Sequence, residues 1–174
     1  DSETVLSGQA AHYLGKVLRL TVGDKVCLFN GDGHEYTASI TAMDKKSCTL
    51  QLGSKSAPAT ESLLHTVLGL GISRGERMDY AIQKSTELGV SVIVPLFTEH
   101  CEVRLAGERQ EKRQEHWQQI AISACEQCGR VRVPQVLTPT DLATWVRSAP
   151  AQRRLVFDQN QTQALDGDKP AGGV

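Results

Sequence analysis

The stretch SRGERMDYAIQKSTELG, residues 73–89, carries charged side chains whose spacing could serve binding. On a helix, Arg77, Lys84 and Glu87 would share one flank, together with Tyr80. The pattern alone favours a solvent-exposed flank with ion pairs. The functional alternative is a polar surface beside a sheet that meets RNA phosphate or a partner subunit.

The overlapping segment GLGISRG, residues 69–75, partly matches a nucleotide-binding loop. The dinucleotide fingerprint G-x-G-x-x-G needs a third glycine where this chain has Arg74, with Gly75 one residue late. The acidic ribose partner expected about 20 residues later is also missing, since the chain reads VSVIVPL there. A Rossmann-type nucleotide-binding enzyme is therefore a weak alternative, and the absence of G-x-x-x-x-G-K-[ST] argues against a P-loop NTPase.

A single C-x-x-C pair, Cys125 and Cys128, could contribute to zinc or redox chemistry. A zinc site could add His100 and Cys101, but a second C-x-x-C pair is absent from the sequence. Redox pairs need a helix N-terminus to lower the thiol pKa, whereas this pair falls at a predicted helix C-terminus. We expect no metal, and we expect both cysteines to pack on an apolar arc with Trp117, Ile120, Ala121 and Ala124.

Glu126 points away from that arc, and Arg130 and Arg132 follow just past the predicted helix end. The carboxylate either pairs with a nearby arginine at the surface or lies at a subunit interface or active-site rim. Hydrolase chemistry is not supported, because no Ser or Cys stands in a local triad context with any of the histidines His12, His34, His65, His100 and His116.

The first 60 residues predict a small antiparallel β-barrel. Short β-prone runs occur at 25–29, 36–40 and 48–52. The turn Asn30-Gly31-Asp32-Gly33 predicts a hairpin, since Asn and Gly accept positive φ. Residues 53–62 are small and polar and read as a linker.

From residue 63 onward strands alternate with helices, which predicts a parallel sheet with crossover helices. Ser73 and Glu76 predict a capping box, and Gly89 a left-handed end, for the first helix. The buried arc of that helix is predicted to be Met78, Ala81, Ile82, Ser85 and Leu88. The predicted strands are 65–72, 90–96, 134–137 and 153–158, and the predicted helices are 74–88, 108–128 and 140–148.

The composition is that of a soluble globular protein, with 174 residues, 40% hydrophobic and 22% charged. A net charge of −1 excludes a globally basic nucleic-acid binder but permits a local basic patch. No apolar run reaches the roughly 20 residues that span a bilayer, and no leader precedes the first strand. The odd number of cysteines, five, favours a reducing, cytoplasmic setting.

Three segments together resemble one known family. They are HYLGKVLRLTVGDKVCLFNGDGHEYTASI (12–40), SRGERMDYAIQKSTELGVSVIVPLFTEHC (73–101) and ACEQCGRVRVP (124–134). In order and spacing they are similar to the RsmE family, the 16S ribosomal RNA uracil-N3 methyltransferases of the SPOUT superfamily. The resemblance runs to about residue 158.

This resemblance implies an α/β protein with an N-terminal PUA-like β-barrel, residues 1–60, that binds RNA. Residues 63–174 would form the N-terminal portion of a SPOUT methyltransferase domain. S-adenosylmethionine would be the methyl donor, a uridine N3 in 16S rRNA of the small subunit the target, and a homodimer the active form. The family's Arg- and Phe-containing first strand, and its G-P-E-G-G and L-G-x-R-x-L-R-x-E-T-A segments, do not occur here. We therefore expect the trefoil-knot part and the cofactor-binding residues to lie downstream of Val174, and this chain alone to be inactive.

The family motifs also imply roles for individual residues. RNA contacts are expected from His12, Lys16 and Arg19 in the barrel and from Arg74, Arg77 and Lys84 after it. Catalytic-rim or interface roles are expected from Glu87, Glu126 and Arg130, while the catalytic base stays unassigned. A non-catalytic RNA-binding module is the main alternative function.

Overall fold

The computed structural model describes residues 2–99, 101, 106–148, 153–157 and 160. The chain divides into two compact units, Asp1–Leu142 and Ala143–Val174. Both the predicted barrel and the start of the predicted methyltransferase portion fall in the first unit. The boundary between them near residues 60–63 stays a prediction.

The N-terminal part is an antiparallel sheet of four strands in the order β1-β4-β3-β2. The second strand matches its prediction at both ends. The third and fourth strands are both longer than predicted. The fourth extends through residues 53–56, which were expected to belong to the linker. The first strand and the short helix after it were not predicted. The elements are β1 (Glu3–Ser7), α1 (Gly8–His12), a π-helical turn (Tyr13–Val17), β2 (Lys25–Phe29), β3 (Glu35–Met43) and β4 (Ser47–Ser56).

Alternating residues of this sheet form its core. Ile40 and Leu50, partners in the β3–β4 register, are almost fully buried, and Leu14 covers them from the π-helical turn. The predicted hairpin between β2 and β3 is confirmed, with Gly31 and Gly33 at φ +87° and +97°. Positive φ is what a glycine tolerates and a residue with a Cβ does not.

A second, parallel sheet follows, which confirms the predicted alternation of strands and helices. Its order is β5-β6-β7, and β8 also pairs with β6. The long helix Glu108–Cys128 has the predicted bounds. The elements are β5 (Val67–Gly71), α2 (Glu76–Glu87), β6 (Val92–Phe97), α3 (Glu108–Cys128), β7 (Gln135–Val136), β8 (Thr140–Asp141) and α4 (Leu142–Ser148).

Apolar side chains of α2 and α3 pack together on this sheet. Met78 and Ile82 from α2 meet Trp117 and Ala121 from α3, and Ile93 of β6 completes the buried cluster. The cluster explains the four-residue spacing on both helices, since one face of each is turned to the sheet. None of the helices in the described part of the chain is long and apolar enough to cross a membrane.

Predictions about the ends of α2 were partly wrong. The capping box is absent: α2 begins after Gly75, which has φ +56°, and no side chain caps it. Leu88 is 86% exposed because the helix ends at Glu87, and Thr86 takes the buried place instead. Gly89 does adopt positive φ, +92°, directly after the helix.

Two further predictions were wrong. Cys128 is exposed at the last residue of α3, although Cys125 is buried as predicted. Residues 153–157 form no strand, and Asp158 lies outside the described residues. Gly69 and Gly71 of GLGISRG lie inside β5, within the predicted strand 65–72, which argues further against the weak nucleotide-loop alternative.

Candidate functional site

A cleft opens at the carboxyl end of β5, where the loop 72–75 leads into α2. In open parallel sheets this edge is the usual place for a ligand. The cleft has a volume of about 210 Å³ and is lined by residues of the loop, α2 and α3, namely Ile72, Ser73, Arg74, Gly75, Met78, Arg113 and Trp117.

The charges around this cleft suit an anion. Two arginines, Arg74 and Arg113, are among the residues that line it. The first N–H groups of α2 lack a side-chain cap, and a helix N-terminus carries partial positive charge. The indole Nε1 of Trp117 is buried without a hydrogen-bond partner among the described residues. Phosphate is the biological anion that arginines and a helix N-terminus bind best.

Arg113 is a cleft residue that sequence reasoning missed. The charges of residues 108–119 alternate in sign, a pattern typical of a solvent-exposed helix face, and Arg113 is exposed. The available signal was its position four residues before Trp117, which places both on the same side of α3. An exposed cation at the edge of the buried face of a helix is thus the sequence pattern that indicates such a cleft residue.

The cationic flank of α2 forms as predicted, and its ion pair is internal to the helix. Lys84 Nζ donates to both carboxylate oxygens of Glu87, at 2.9 and 2.7 Å. The hydrogen bond to Glu87 raises the pKa of Lys84, despite some desolvation that lowers it. Lys84 Nζ also lies 5.8 Å from the centroid of the Tyr80 ring. Arg77 is exposed on the same helix.

A second group of predicted RNA contacts follows β1. His12 ends α1, Lys16 lies in the π-helical turn one helical turn later, and Arg19 comes just after it; all three are exposed. Arg19 has φ +57°, and no other non-glycine among the described residues has positive φ. Left-handed backbone at an arginine costs about 1–2 kcal/mol. Such strain is commonest at functional positions.

Arg130, predicted at the catalytic rim, is buried. Its exposed fraction is 7%, and four hydrogen bonds go to protein groups. Nη1 donates to the backbone oxygens of Thr86 and Val90 at 2.8 and 2.9 Å. Nε and Nη2 donate to Glu61 Oε2 at 3.1 and 2.7 Å. A guanidinium has five N–H donors, so one is left for any ligand.

Glu61 completes this buried pair, and nothing in the polar linker sequence indicated it. Burial alone would raise the pKa of Glu61, but the hydrogen bonds from Arg130 and from the Arg132 backbone N–H lower it overall. Pairing with a nearby arginine was one of the alternatives expected for Glu126, but Arg130 binds Glu61 instead. Glu126 is exposed on α3. The roles predicted for Glu87, Glu126 and Arg130 stay predictions.

No group of three or more His, Cys, Asp or Glu residues that could hold a metal ion occurs in the described ranges. His100, considered above as a zinc ligand, lies outside those ranges. All five cysteines are free thiols. Burial raises the pKa of Cys125 to about 11, so this thiol is protonated at neutral pH.

Comparison with known proteins identifies both halves of the chain. Residues 60–171 match the RNA methyltransferase domain family, and residues 6–53 match the RNA methyltransferase PUA domain family. The chain is 35% identical over 162 residues to the ribosomal RNA small subunit methyltransferase E of Buchnera aphidicola subsp. Schizaphis graminum. That match covers 92% of this chain and 66% of the relative.

Solved structures give the same result. A Legionella pneumophila protein described as a methyltransferase with bound cofactor SAM superimposes with a TM-score of 0.89 and 40% identity, over 93% of this chain and 67% of that one. The ribosomal RNA small subunit methyltransferase E of Neisseria gonorrhoeae, bound to S-adenosyl methionine, has a TM-score of 0.82 and 39% identity, over 86% and 62%. The chain spans slightly less than two thirds of the length of the Buchnera relatives, at 66% and 64%.

Proposed function

The chain belongs to the RNA methyltransferase family, within the RsmE group of small-subunit enzymes, and from this membership we propose that the complete protein methylates N3 of a uridine in 16S rRNA. S-adenosylmethionine would be the methyl donor. The observation that carries the proposal is the order of two family matches, a PUA domain over 6–53 followed by a methyltransferase domain over 60–171. The PUA-like β-barrel and the SPOUT-type α/β architecture are the fold of this family.

RNA binding is the part of this function that the described residues support directly. Arg74 and Arg113 line a cleft beside an uncapped helix N-terminus, and Arg77 and Lys84 follow on the same helix. Lys16 and Arg19, with His12 beside them, form a second group of exposed RNA-contact candidates just after β1. Structured RNA is recognised mainly through shape and phosphates, so local cationic groups serve it even on a chain of net charge −1.

The same cleft does not fit the cofactor. A volume of about 210 Å³ is below the roughly 300–1,000 Å³ of ordinary small-molecule sites. The reactive centre of S-adenosylmethionine is a sulfonium cation, and two arginines line the cleft. Like charges there would disfavour the cation. We therefore assign the cleft to RNA rather than to the cofactor.

The target atom defines what the RNA-binding residues must achieve. N3 of uracil lies on the Watson–Crick edge, so the base must be unpaired or turned out of its helix before it reacts. Cations beside both sheets can hold the flanking phosphates while the base is presented. N3 must also lose its proton, and the rim roles proposed for Glu87 and Glu126 leave the catalytic base unassigned.

The test measures methyl transfer by the complete protein to small ribosomal subunits that lack the modification. Labelled S-adenosylmethionine reports transfer, and mass spectrometry of digested nucleosides identifies 3-methyluridine. Arg113→Ala should raise KM for the subunit, whereas Lys112→Ala is a matched control one residue away, in an exposed pair with Glu108. RNA binding without transfer would instead identify a non-catalytic RNA-binding module. Methylation at another atom would refute the N3 assignment.

We further propose a homodimer acting in the cytoplasm. The family resemblance supports both, and the exposed side chains of Tyr80 and Leu88, at 63% and 86%, leave apolar surface at α2 for a second copy. Light scattering of the complete protein measures the mass in solution. A monomer at micromolar concentration would contradict the dimer.

A further inference from the structure

The segment Arg130–Val133, between α3 and β7, contacts both sheets of the first unit. Towards the parallel sheet, Arg130 Nη1 reaches the oxygens of Thr86, in the last turn of α2, and Val90, just before β6. The Thr86 oxygen also accepts the Gly89 N–H at 3.0 Å, so Arg130 binds the turn that follows α2 at two of its backbone oxygens. Arg130 thereby joins the segment to α2 and β6.

The same segment holds the chain that connects the two sheets. Glu61 lies between β4 and β5, and its Oε2 accepts the hydrogen bonds from Nε and Nη2 of Arg130. Its Oε1 accepts the Arg132 backbone N–H at 3.1 Å. The carboxylate is therefore held through both oxygens, a geometry that restricts orientation as well as distance.

Towards the N-terminal sheet, the β2–β3 hairpin rests on the segment. Gly33 N donates to the Val131 oxygen at 3.0 Å. A Cβ on Gly33 would come within 2.7 Å of the Arg132 guanidinium, and one on Gly31 within 3.3 Å of Val133. A side chain at either glycine would therefore require the Arg132 or Val133 side chain to shift.

We propose that Glu61 and Arg130 are positioning residues that hold the N-terminal sheet in one orientation against the parallel sheet, so that the cations beside the two sheets bind a single RNA. This inference rests on the proposed RNA-methylating function. Two weak RNA contacts on one rigid body act at high effective concentration, and that gain is lost when the connection is loose. Arg130 itself does not bind RNA, because four of its donors are already used.

The experiment measures orientation and activity separately, in the complete protein. Spin labels are placed on two exposed native thiols, Cys27 in β2 and Cys128 at the end of α3. The distance between the labels reports how the N-terminal sheet is held relative to the helix α3, which packs on the parallel sheet. Other accessible thiols, Cys101 included, are replaced by serine. Glu61→Gln removes the charge with little change of size. The matched control Glu108→Gln breaks an exposed ion pair with Lys112.

We expect a narrow distance distribution in the parent and the control and a broadened one in Glu61→Gln. With the unlabelled proteins, KM for the small subunit should rise about tenfold in Glu61→Gln while kcat at saturating subunit stays within about twofold. Arg130→Lys keeps the charge but cannot reach Glu61 and both carbonyls at once, so it should lie between the two.

If the pair has a purely structural role, Glu61→Gln lowers the unfolding temperature but leaves the distance distribution between the two spin labels narrow when it is measured 10–20 °C below that temperature. That result overturns the proposal. Broadened distances with an unchanged KM overturn it as well. Failure of the parent protein to bind or methylate RNA would instead refute the proposed function, because the distance measurement needs neither RNA nor cofactor.

Discussion

Replacing Gly33 with alanine tests the contact between the hairpin and the segment after α3. Gly23 offers a matched control: its φ is also +97°, and its N–H also donates to a backbone oxygen, that of Ile40. A Cβ on Gly23 meets nothing within 4 Å, whereas one on Gly33 lies 2.7–2.9 Å from three atoms of Arg132. Backbone strain is therefore common to both variants, and the contact belongs to Gly33 alone.

The magnitudes follow from these geometries. Positive φ at an alanine costs about 1–2 kcal/mol in either variant. Gly33→Ala must also displace the exposed Arg132 side chain, at about 0.5–1.5 kcal/mol for an unfavourable rotamer. Weakening the bond from Gly33 N to the Val131 oxygen adds about 0.5–1.5 kcal/mol. We expect Gly33→Ala to be less stable than Gly23→Ala by about 1–3 kcal/mol.

Urea denaturation monitored by circular dichroism gives the free energy of unfolding of both variants. Additional replacement of Arg132 by alanine should recover part of the difference, because it removes the clashing atoms. Equal destabilisation of the two glycine variants, within about 0.3 kcal/mol, would refute the close approach of hairpin and segment. So would a larger loss for Gly23→Ala.

Three further outcomes are expected. The pKa of Glu61 is lowered in the folded protein, so its pairing stabilises the fold fully above the unfolded pKa of about 4.3. This stabilisation is lost as pH falls through the lower folded pKa. Glu61→Gln should therefore flatten the acid-side decline of the unfolding temperature, and an unchanged pH profile would contradict the pairing with Arg130. Arg19→Gly should raise stability by about 1 kcal/mol by relieving positive φ while reducing the salt slope of RNA binding by about 1; a loss of stability would speak against the strained backbone. At pH 8, iodoacetamide should modify the exposed Cys128 and leave Cys125 intact, whose pKa burial raises to about 11; peptide mass spectrometry reads both, and early labelling of Cys125 would disprove its burial.

Sequence periodicity predicted the elements whose signals are local. The bounds of β2 and α3, the turn at residues 30–33 and the parallel second sheet all follow from patterns within about 20 residues of chain. Several of the errors occur at helix ends, where one residue decides. Gly75 at positive φ starts α2 two residues after the predicted cap, and Leu88 is exposed because α2 stops at Glu87.

The family resemblance named one arginine of the cleft, Arg74, as an RNA contact, and that role stays a prediction. Arg74 lines the cleft together with Arg113, which no local motif indicated. Burial and contacts between α2 and α3 decide such placements, and a helical pattern records only which side a residue faces. The RNA-contact roles of both arginines rest on the cleft geometry and await the transfer assay.

Arg130 shows why a motif residue needs its contacts before it receives a role. On a continuing helix it would lie one turn beyond Glu126 and could pair with it. Gly129 instead ends α3 with φ +79° and turns the chain away. Arg130 then meets Glu61, 69 residues distant in sequence, a pairing that no local pattern can indicate. Since four N–H donors are used in this way and a phosphate is best bound by two, the burial of Arg130 argues for fixing the sheets rather than for contacting the substrate.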